Sequence, residues 1–241
     1  MSQTTFGTLY LLPTLLGETS TVDDVLPAQV QAQTRLLRHF IAENAKSARA
    51  FLKTLGMPVP LQEIQVIELP RQLDPRTISE LLAPLTAGQD VGIVSEAGCP
   101  AIADPGALLV AAAHEQGIRV VPWVGPSSIL LALMAAGLNG QQFAFNGYLP
   151  VEPGQRAQRL RELEKRARQE QQTQVFIETP YRNQALFEAM LQHGSPTTRL
   201  CLAIDLTLPS ETIQTKRLSD WKKSGPPDFH KRPTIFCFLA S

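Results

Sequence analysis

Two strand–loop–helix units lie back to back in the middle of this 241-residue chain, and they leave few folds open. The first runs Val94-Ser-Glu-Ala-Gly-Cys-Pro-Ala-Ile-Ala-Asp-Pro-Gly106, the second Val121-Pro-Trp-Val-Gly-Pro-Ser-Ser128. Each begins as an apolar strand, breaks at Gly and Pro, and leads into a helix rich in Ala and Leu. Consecutive units of this kind place their loops at one edge of a parallel sheet, where open α/β sheets bind ligands. Loops with few bulky side chains suit a small ligand held mainly by main-chain N–H and C=O groups.

The rest of the chain continues the alternation. Strands are expected at Gly7 to Leu12, Leu36 to Ala42, Ile64 to Leu69, Val91 to Ser95 and Ile118 to Pro122. Helices are expected near Pro27, after a cap at Asn44 up to Gly56, from Pro75 to Ala87, and from Gly106 to about Gln116. A very apolar helix, Ile129 to Ala136, ends at Gly137. The later part reads as a strand Phe143 to Phe145, a charged helix Glu152 to Gln171, a strand Val175 to Glu178 and a helix Tyr181 to Gln192. It closes with strands Leu200 to Asp205, Thr212 to Lys216 and Thr234 to Leu239, and neighbouring strands without helices between them imply a partly antiparallel sheet. The expectation is two α/β domains, residues 1–124 and 125–241.

Composition excludes some classes. A 44% hydrophobic share with 18% charged residues is that of an ordinary globular chain with a full core. Lys+Arg and Asp+Glu are both 22, so net charge gives no support to a nucleic-acid partner, although a local basic patch remains compatible with it. No apolar run approaches the roughly 20 residues of a membrane span. The polar start, Met1-Ser-Gln-Thr-Thr, lacks a basic signal region, so a cytoplasmic location without membrane attachment is expected. The four His residues and three Cys residues form no ligand spacing, so no metal is expected. Cys201 and Cys237 lie in apolar runs and read as buried small residues, whereas Cys99 lies in the Gly-Pro loop.

Several sites have two readings. Ser127 and Ser128 are helix caps or ligand contacts, which are compatible roles at one helix end. The charged helix carries Arg156, Arg159, Arg161, Lys165, Arg166 and Arg168. It is either an RNA-facing stripe or a solvated face neutralised by Glu162 with Arg166 and Glu164 with Arg168 at i,i+4. Phosphate-loop and serine-hydrolase motifs are missing: there is no G-x-x-x-x-G-K-[ST], no G-x-G-x-x-G after a strand and no G-x-S-x-G.

With these residues in view, the chain resembles the tetrapyrrole-methylase superfamily of S-adenosylmethionine-dependent methyltransferases. Within it, the chain looks like the bacterial branch that methylates a cytidine ribose 2′-O of small-subunit rRNA. Gly7-Thr-Leu-Tyr-Leu-Leu-Pro-Thr14 is similar to its first strand and loop. Ser95 to Gly106 is similar to its Ser-Asp-Ala-Gly-Thr-Pro…Ser-Asp-Pro-Gly, and Gly125-Pro-Ser-Ser128 to its Gly-Pro-Ser. Phe143 to Pro150 corresponds to Phe…Gly-Phe-Leu-Pro, and Glu178-Thr-Pro-Tyr-Arg182 to Glu-Ser-Pro-His-Arg. Ala42-Glu-Asn-Ala-Lys46 stands where the family has Glu-Asp-Thr-Arg.

The resemblance implies two α/β domains with the S-adenosylmethionine site in the cleft between them, and a homodimer. Carried over position by position, it assigns cofactor contacts to Pro13, Leu15, Gly98, Cys99, Ile102, Ser127 and Ser128. It adds Ile177, Ala203, Ile204 and Pro233 from the second domain. Glu43 is the leading candidate for a general base, its alternative being a first-turn helix charge. Lys46 is the candidate to hold a substrate phosphate, its alternative being a surface lysine. Arg182 either reaches substrate or caps a neighbouring element. Glu96 and Asp104 read chiefly as acceptors that shape the loop.

The chain departs from the family at Asn44, Ala45 and Lys46, losing a carboxylate, a hydroxyl and a guanidinium fork. It also ends soon after Leu239, where many members of the branch continue into a helical tail, so it reads as a divergent, shorter paralogue. Three functions are compatible with these residues. They are methylation of RNA, methylation of a small molecule such as a tetrapyrrole, and non-catalytic binding of S-adenosylmethionine or RNA.

Overall fold

The computed structural model describes residues 6–70 and 72–240. The chain divides into two compact units, Met1–Ser127 and Ser128–Ser241.

In the first unit, β1 (Thr8–Leu12) is followed by helices α1 (Val22–Val25) and α2 (Ala28–Thr34), then β2 (His39–Ala42) and α3 (Ala45–Thr54). Next come β3 (Gln65–Glu68), α4 (Pro75–Thr86), β4 (Val91–Val94), α5 (Gly106–Glu115) and β5 (Arg119–Pro122). The sheet is wholly parallel in the order β3-β2-β4-β1-β5. Side chains alternate across it as the pleat requires. Phe40, Ala42, Leu12 and Val94 pack with Phe51 and Leu52 of α3 on one face. Ile41, Leu9 and Ile93 pack with α4 and α5 residues Leu82, Leu85 and Leu109 on the other. Burial on both faces explains why these strands are short apolar runs.

The topology fixes where a ligand edge lies. The chain leaves β1 towards β2, past β4, whereas it leaves β4 in the opposite direction, past β1 to β5. The carboxyl ends of β1 and β4 are therefore a switch point, the usual binding crevice of an open α/β sheet.

The second unit starts with α6 (Ser128–Ala135), β6 (Phe143–Tyr148), α7 (Pro153–Glu170), β7 (Thr173–Ile177) and α8 (Asn183–His193). It ends with β8 (Arg199–Ile204), β9 (Thr212–Arg217), α9 (Leu218–Ser224) and β10 (Thr234–Leu239). Its sheet runs β6-β7-β10-β8-β9; only β6 and β7 are parallel. Phe176, Phe236 and Phe238 of this sheet pack with Leu186, Phe187 and Trp221 in one core.

Some elements differ from expectation. Strand β2 begins at His39, because the backbone N–H groups of Leu36 and Leu37 donate to Gln33 and Thr34 and prolong the end of α2. Strand β6 continues to Tyr148 through an irregular register, with Gly147 at φ +63° absorbing the bend. Helix α8 starts at Asn183, after a 3₁₀ turn at Pro180–Arg182. The pairings expected along α7 also change. Glu162 meets Arg159 at 3.4 Å, and Arg166 meets Glu170 at 3.2 Å. Glu164 turns inward instead, accepting the Ser195 N–H at 2.7 Å and the Thr198 hydroxyl.

Candidate active site

At the switch point, three loops are tied together by hydrogen bonds that all end on main-chain carbonyls. The Thr14 N–H donates to the Gly98 carbonyl at 2.9 Å, joining the loop after β1 to the loop after β4. The buried Ser95 hydroxyl donates to the same carbonyl at 2.9 Å, and the Thr14 hydroxyl donates to the Ser95 carbonyl at 3.4 Å. The Cys99 thiol lies 3.5 Å from the Pro126 carbonyl, tying in the loop after β5. A side chain at Gly125 would collide with Pro13, so that crossing admits only glycine. Pro13, Gly98 and Cys99 thus come together, with Ser127 next to Pro126.

The loop after β4 is shaped by Asp104, as its sequence position implied. Its carboxylate accepts the Ala101 N–H at 2.9 Å and the Gly106 N–H at 2.7 Å. That clamp holds Ala101 at φ +65° and Ala103 at φ +62°, a left-handed conformation that costs roughly 1–2 kcal/mol per non-glycine residue. Local strain of this kind persists only where surroundings over-determine it, and it concentrates at ligand clamps. Ile102, between the two alanines, is 50% exposed. Burial pushes the Asp104 carboxyl up; the N–H groups of Gly106 and Ala101 pull it down, and the charge of Glu43 pushes it further up. Burial also raises the Cys99 thiol, so this cysteine is not an activated thiolate.

Glu43 and Lys46 occupy the neighbouring β2 end. The Glu43 carboxylate accepts the Glu96 N–H at 3.1 Å, which attaches it to the loop after β4. Asn44 caps α3, accepting from the N–H groups of Lys46 at 2.9 Å and Ser47 at 3.1 Å. Glu68 accepts the Ala45 N–H at 2.9 Å. Beside these residues is a cavity of about 550 Å³, lined among others by Leu15, Asn44, Lys46, Ser47, Glu96 and Ala97. That volume lies in the range of small-molecule sites.

In the second unit the expected residues do not all share a face: the Ile204 side chain is fully buried in the core with Leu202 and Phe236, on the face opposite Ala203. Ile177 and Ala203 flank Ile235 in one row across β7, β10 and β8. Ile204 pairs with Thr234, and the Pro233 carbonyl accepts the Asp205 N–H at 2.9 Å. Ser128 opens α6. Thr14, Ser95 and Glu68 were not singled out as functional from the sequence. Ser95 and Thr14 each carried a signal, as the first residue of the Ser95–Gly106 stretch and the last of Gly7–Thr14; Glu68 carried none. Among the described residues, no group of three or more His, Cys, Asp or Glu is placed to hold a metal.

A doubly wound parallel unit followed by a mixed-sheet unit, with glycine- and proline-built loops at the switch point, defines a class of two-unit α/β proteins with a ligand edge on the first sheet. The sequence model of the Tetrapyrrole (Corrin/Porphyrin) Methylases matches residues 19–221, and the chain belongs to that family, whose members transfer methyl groups from S-adenosylmethionine. It is similar to the ribosomal RNA small subunit methyltransferase I of Xylella fastidiosa, 34% identical over 235 residues, 97% of this chain and 81% of that protein. It is likewise 33% identical to the protein of the same name from Pseudomonas aeruginosa, over 90% of this chain and 74% of that one. Among solved structures, the methyltransferase CobJ superposes with a TM-score of 0.62 at 16% identity, covering 98% of this chain and 94% of that one. Cobalt precorrin-4 methyltransferase CbiF gives 0.59 at 13% identity, covering 96% and 94%. At such identities the structural likeness shows the fold alone.

Proposed function

We propose that the protein methylates RNA, specifically a ribose 2′-hydroxyl of small-subunit ribosomal RNA. One observation carries the donor half of this reading: the loops after β1, β4 and β5 are tied together by the Thr14 N–H on the Gly98 carbonyl and by the Cys99 thiol on the Pro126 carbonyl. The donor set fits S-adenosylmethionine, because the loops combine small side chains with main-chain groups and a cavity of suitable volume opens beside them. Pro13, Leu15, Gly98, Cys99, Ile102, Ser127 and Ser128 are proposed as contacts, together with Ile177, Ala203, Ile204 and Pro233. When bound, the cofactor supplies an electrophilic methyl on sulfur, and no metal is required.

The protein's share of such a displacement is chiefly positioning. A ribose hydroxyl is a weak nucleophile at neutral pH, and a general base contributes typically ~10²–10⁴-fold. Glu43 is proposed for that role, because its carboxylate is fixed at the rim of the loop after β4. Lys46, on the cavity wall, is proposed to hold a substrate phosphate. The relatives' printed name supports RNA as acceptor. A ribosomal substrate supports the cytoplasm as the proposed location. Leu130 and Met134, one helical turn apart and both exposed on α6, support a homodimer through that face.

A second reading, binding without catalysis, is favoured by the use of the Asn44 side-chain Oδ1 as a helix cap and of the Ala45 N–H as a donor to Glu68. The atoms named at both positions are then engaged in local structure. The discriminating experiment incubates purified protein with labelled S-adenosylmethionine and RNA from a strain lacking the gene, then maps the methyl. Label on a ribose of small-subunit rRNA supports the first reading. Cofactor binding with no transfer to any RNA supports the second.

A further inference from the structure

The second unit carries an exposed aromatic ring in a rigid cationic setting that the cofactor contacts do not use. Tyr181 is 75% exposed, in the 3₁₀ turn between β7 and α8. The Lys231 ammonium lies 5.7 Å from the centroid of its ring. The next residue, Arg182, has a side chain 31% exposed, its guanidinium held at 2.6 Å by the fully buried carboxylate of Glu178 and at 3.1 Å by the Thr179 hydroxyl.

This arrangement is built rather than incidental to a loose loop. Buried Asn183 donates its amide to the Phe229 and Arg232 carbonyls and the Thr234 hydroxyl, fastening the turn to the loop before β10. Arg232 is itself anchored by the Asp205 carboxylate at 2.7 Å and by the Asp228 and Ser210 carbonyls. Between these anchors Lys231 takes φ +59°, a left-handed conformation a lysine rarely adopts. Neighbours on both sides thus hold Lys231 in place over the ring. What sets this ring apart from the other exposed apolar side chains is its setting: an ammonium over it and an anchored arginine beside it match the stacking platforms of single-stranded nucleic-acid sites.

We propose that Tyr181, with Lys231 and Arg182, forms a stacking site for one unpaired base of a single-stranded RNA and its flanking phosphates. The proposal rests on the RNA reading given above and adds to it a specific subsite. The ring takes the π-face of the base, Lys231 neutralises an adjacent phosphate, and Arg182, its charge balanced by Glu178, offers its remaining N–H groups as donors to the strand. A base stacked there is read by shape and not by hydrogen bonds, so this subsite grips the strand without selecting its sequence.

The test is fluorescence anisotropy of the full chain with fluorescein-labelled oligo(C) and oligo(U) RNA 12-mers across a salt series. Tyr181→Ala is expected to weaken binding at least about fivefold, whereas Tyr181→Phe, which keeps the ring, stays within about twofold. Lys231→Ala is expected to reduce the slope of log affinity against log salt by about one. Because Tyr181 and Lys231 are exposed, their variants should unfold at the wild-type temperature. Equal affinity of wild type and Tyr181→Ala overturns this subsite and leaves the RNA reading standing. No binding of either 12-mer by the wild type overturns the subsite, and only if structured small-subunit rRNA also fails to bind does the RNA reading fall with it.

Discussion

The Glu43 carboxylate and the Glu96 backbone N–H are 3.1 Å apart, so an acidic side chain from the end of β2 secures the loop that follows β4. The contact joins the residue proposed as general base to the segment proposed to hold the cofactor. It also separates two roles that a single alanine variant would confuse. Glu43→Gln retains an acceptor oxygen for the Glu96 N–H but has no basicity. If Glu43 is the base, Gln and Ala variants both lose about 10²–10⁴-fold in kcat while S-adenosylmethionine affinity in the Gln variant holds. Near-normal turnover by Glu43→Gln would restrict the residue to tethering the loop.

Cys99 offers a steric test of the cofactor loop. Its thiol already lies 3.5 Å from the Pro126 carbonyl, so neither a larger ring nor a charge fits without moving the loop after β5. Cys99→Phe and Cys99→Asp should each weaken S-adenosylmethionine binding by tenfold or more in calorimetry. Unchanged affinity in both would displace that loop from the donor site.

Gly98 makes a related prediction for stability. It sits at φ +71°, and an added methyl would lie 3.1 Å from Leu16 Cδ2 and 3.4 Å from the Pro126 carbonyl oxygen. Gly98→Ala should therefore cost about 1–2 kcal/mol in urea unfolding, from the left-handed backbone alone. A loss below about 0.5 kcal/mol would mean that the loop relaxes freely.

Asp104 predicts a pH dependence. Burial holds its carboxyl above the ordinary value of 3.8, so the folded chain retains that proton where the unfolded chain has released it. Its contribution to stability is therefore fullest below about pH 3.8 and declines as pH rises through the higher folded value. Asp104→Asn removes this ionisation while leaving an acceptor for the Ala101 and Gly106 N–H groups. The unfolding free energy of the variant minus that of the wild type should rise with pH across that window. A flat difference would contradict the assignment.

Much of this was legible in the sequence, for physical reasons. Buried parallel strands are short apolar runs, so β1 and β4 stood out, while the half-exposed edge strand β5 was marked by the glycine and proline break that follows it. The Asn44 cap and the Gly56 stop of α3 follow from local chemistry, and both are present: Asn44 accepts two N–H groups and Gly56 has φ +67°. The α7 pairings were not legible, because Glu164 has a tertiary alternative in Ser195 and Thr198 that helical spacing cannot reveal. Nor were the bonds of Thr14 and Ser95 to the loop after β4, which depend on strands brought together from distant parts of the chain. The Tyr181–Lys231 pair spans 50 positions and appears only once Asn183 has fastened the two loops together.

The proposed dimer has a simple check. Leu130→Glu with Met134→Glu should convert a dimer to a monomer in light scattering without lowering the unfolding temperature by more than a few degrees, since both side chains are exposed. A dimer that survives both charges would have to use another face.

The most direct test is isothermal titration of the purified protein with S-adenosylmethionine, in parallel with Cys99→Phe. Saturable binding at one site per chain, lost or much weakened in the variant, is the predicted result. An absence of binding by the wild type at millimolar cofactor, or equal binding by both proteins, would contradict the donor site placed at the ends of β1, β4 and β5.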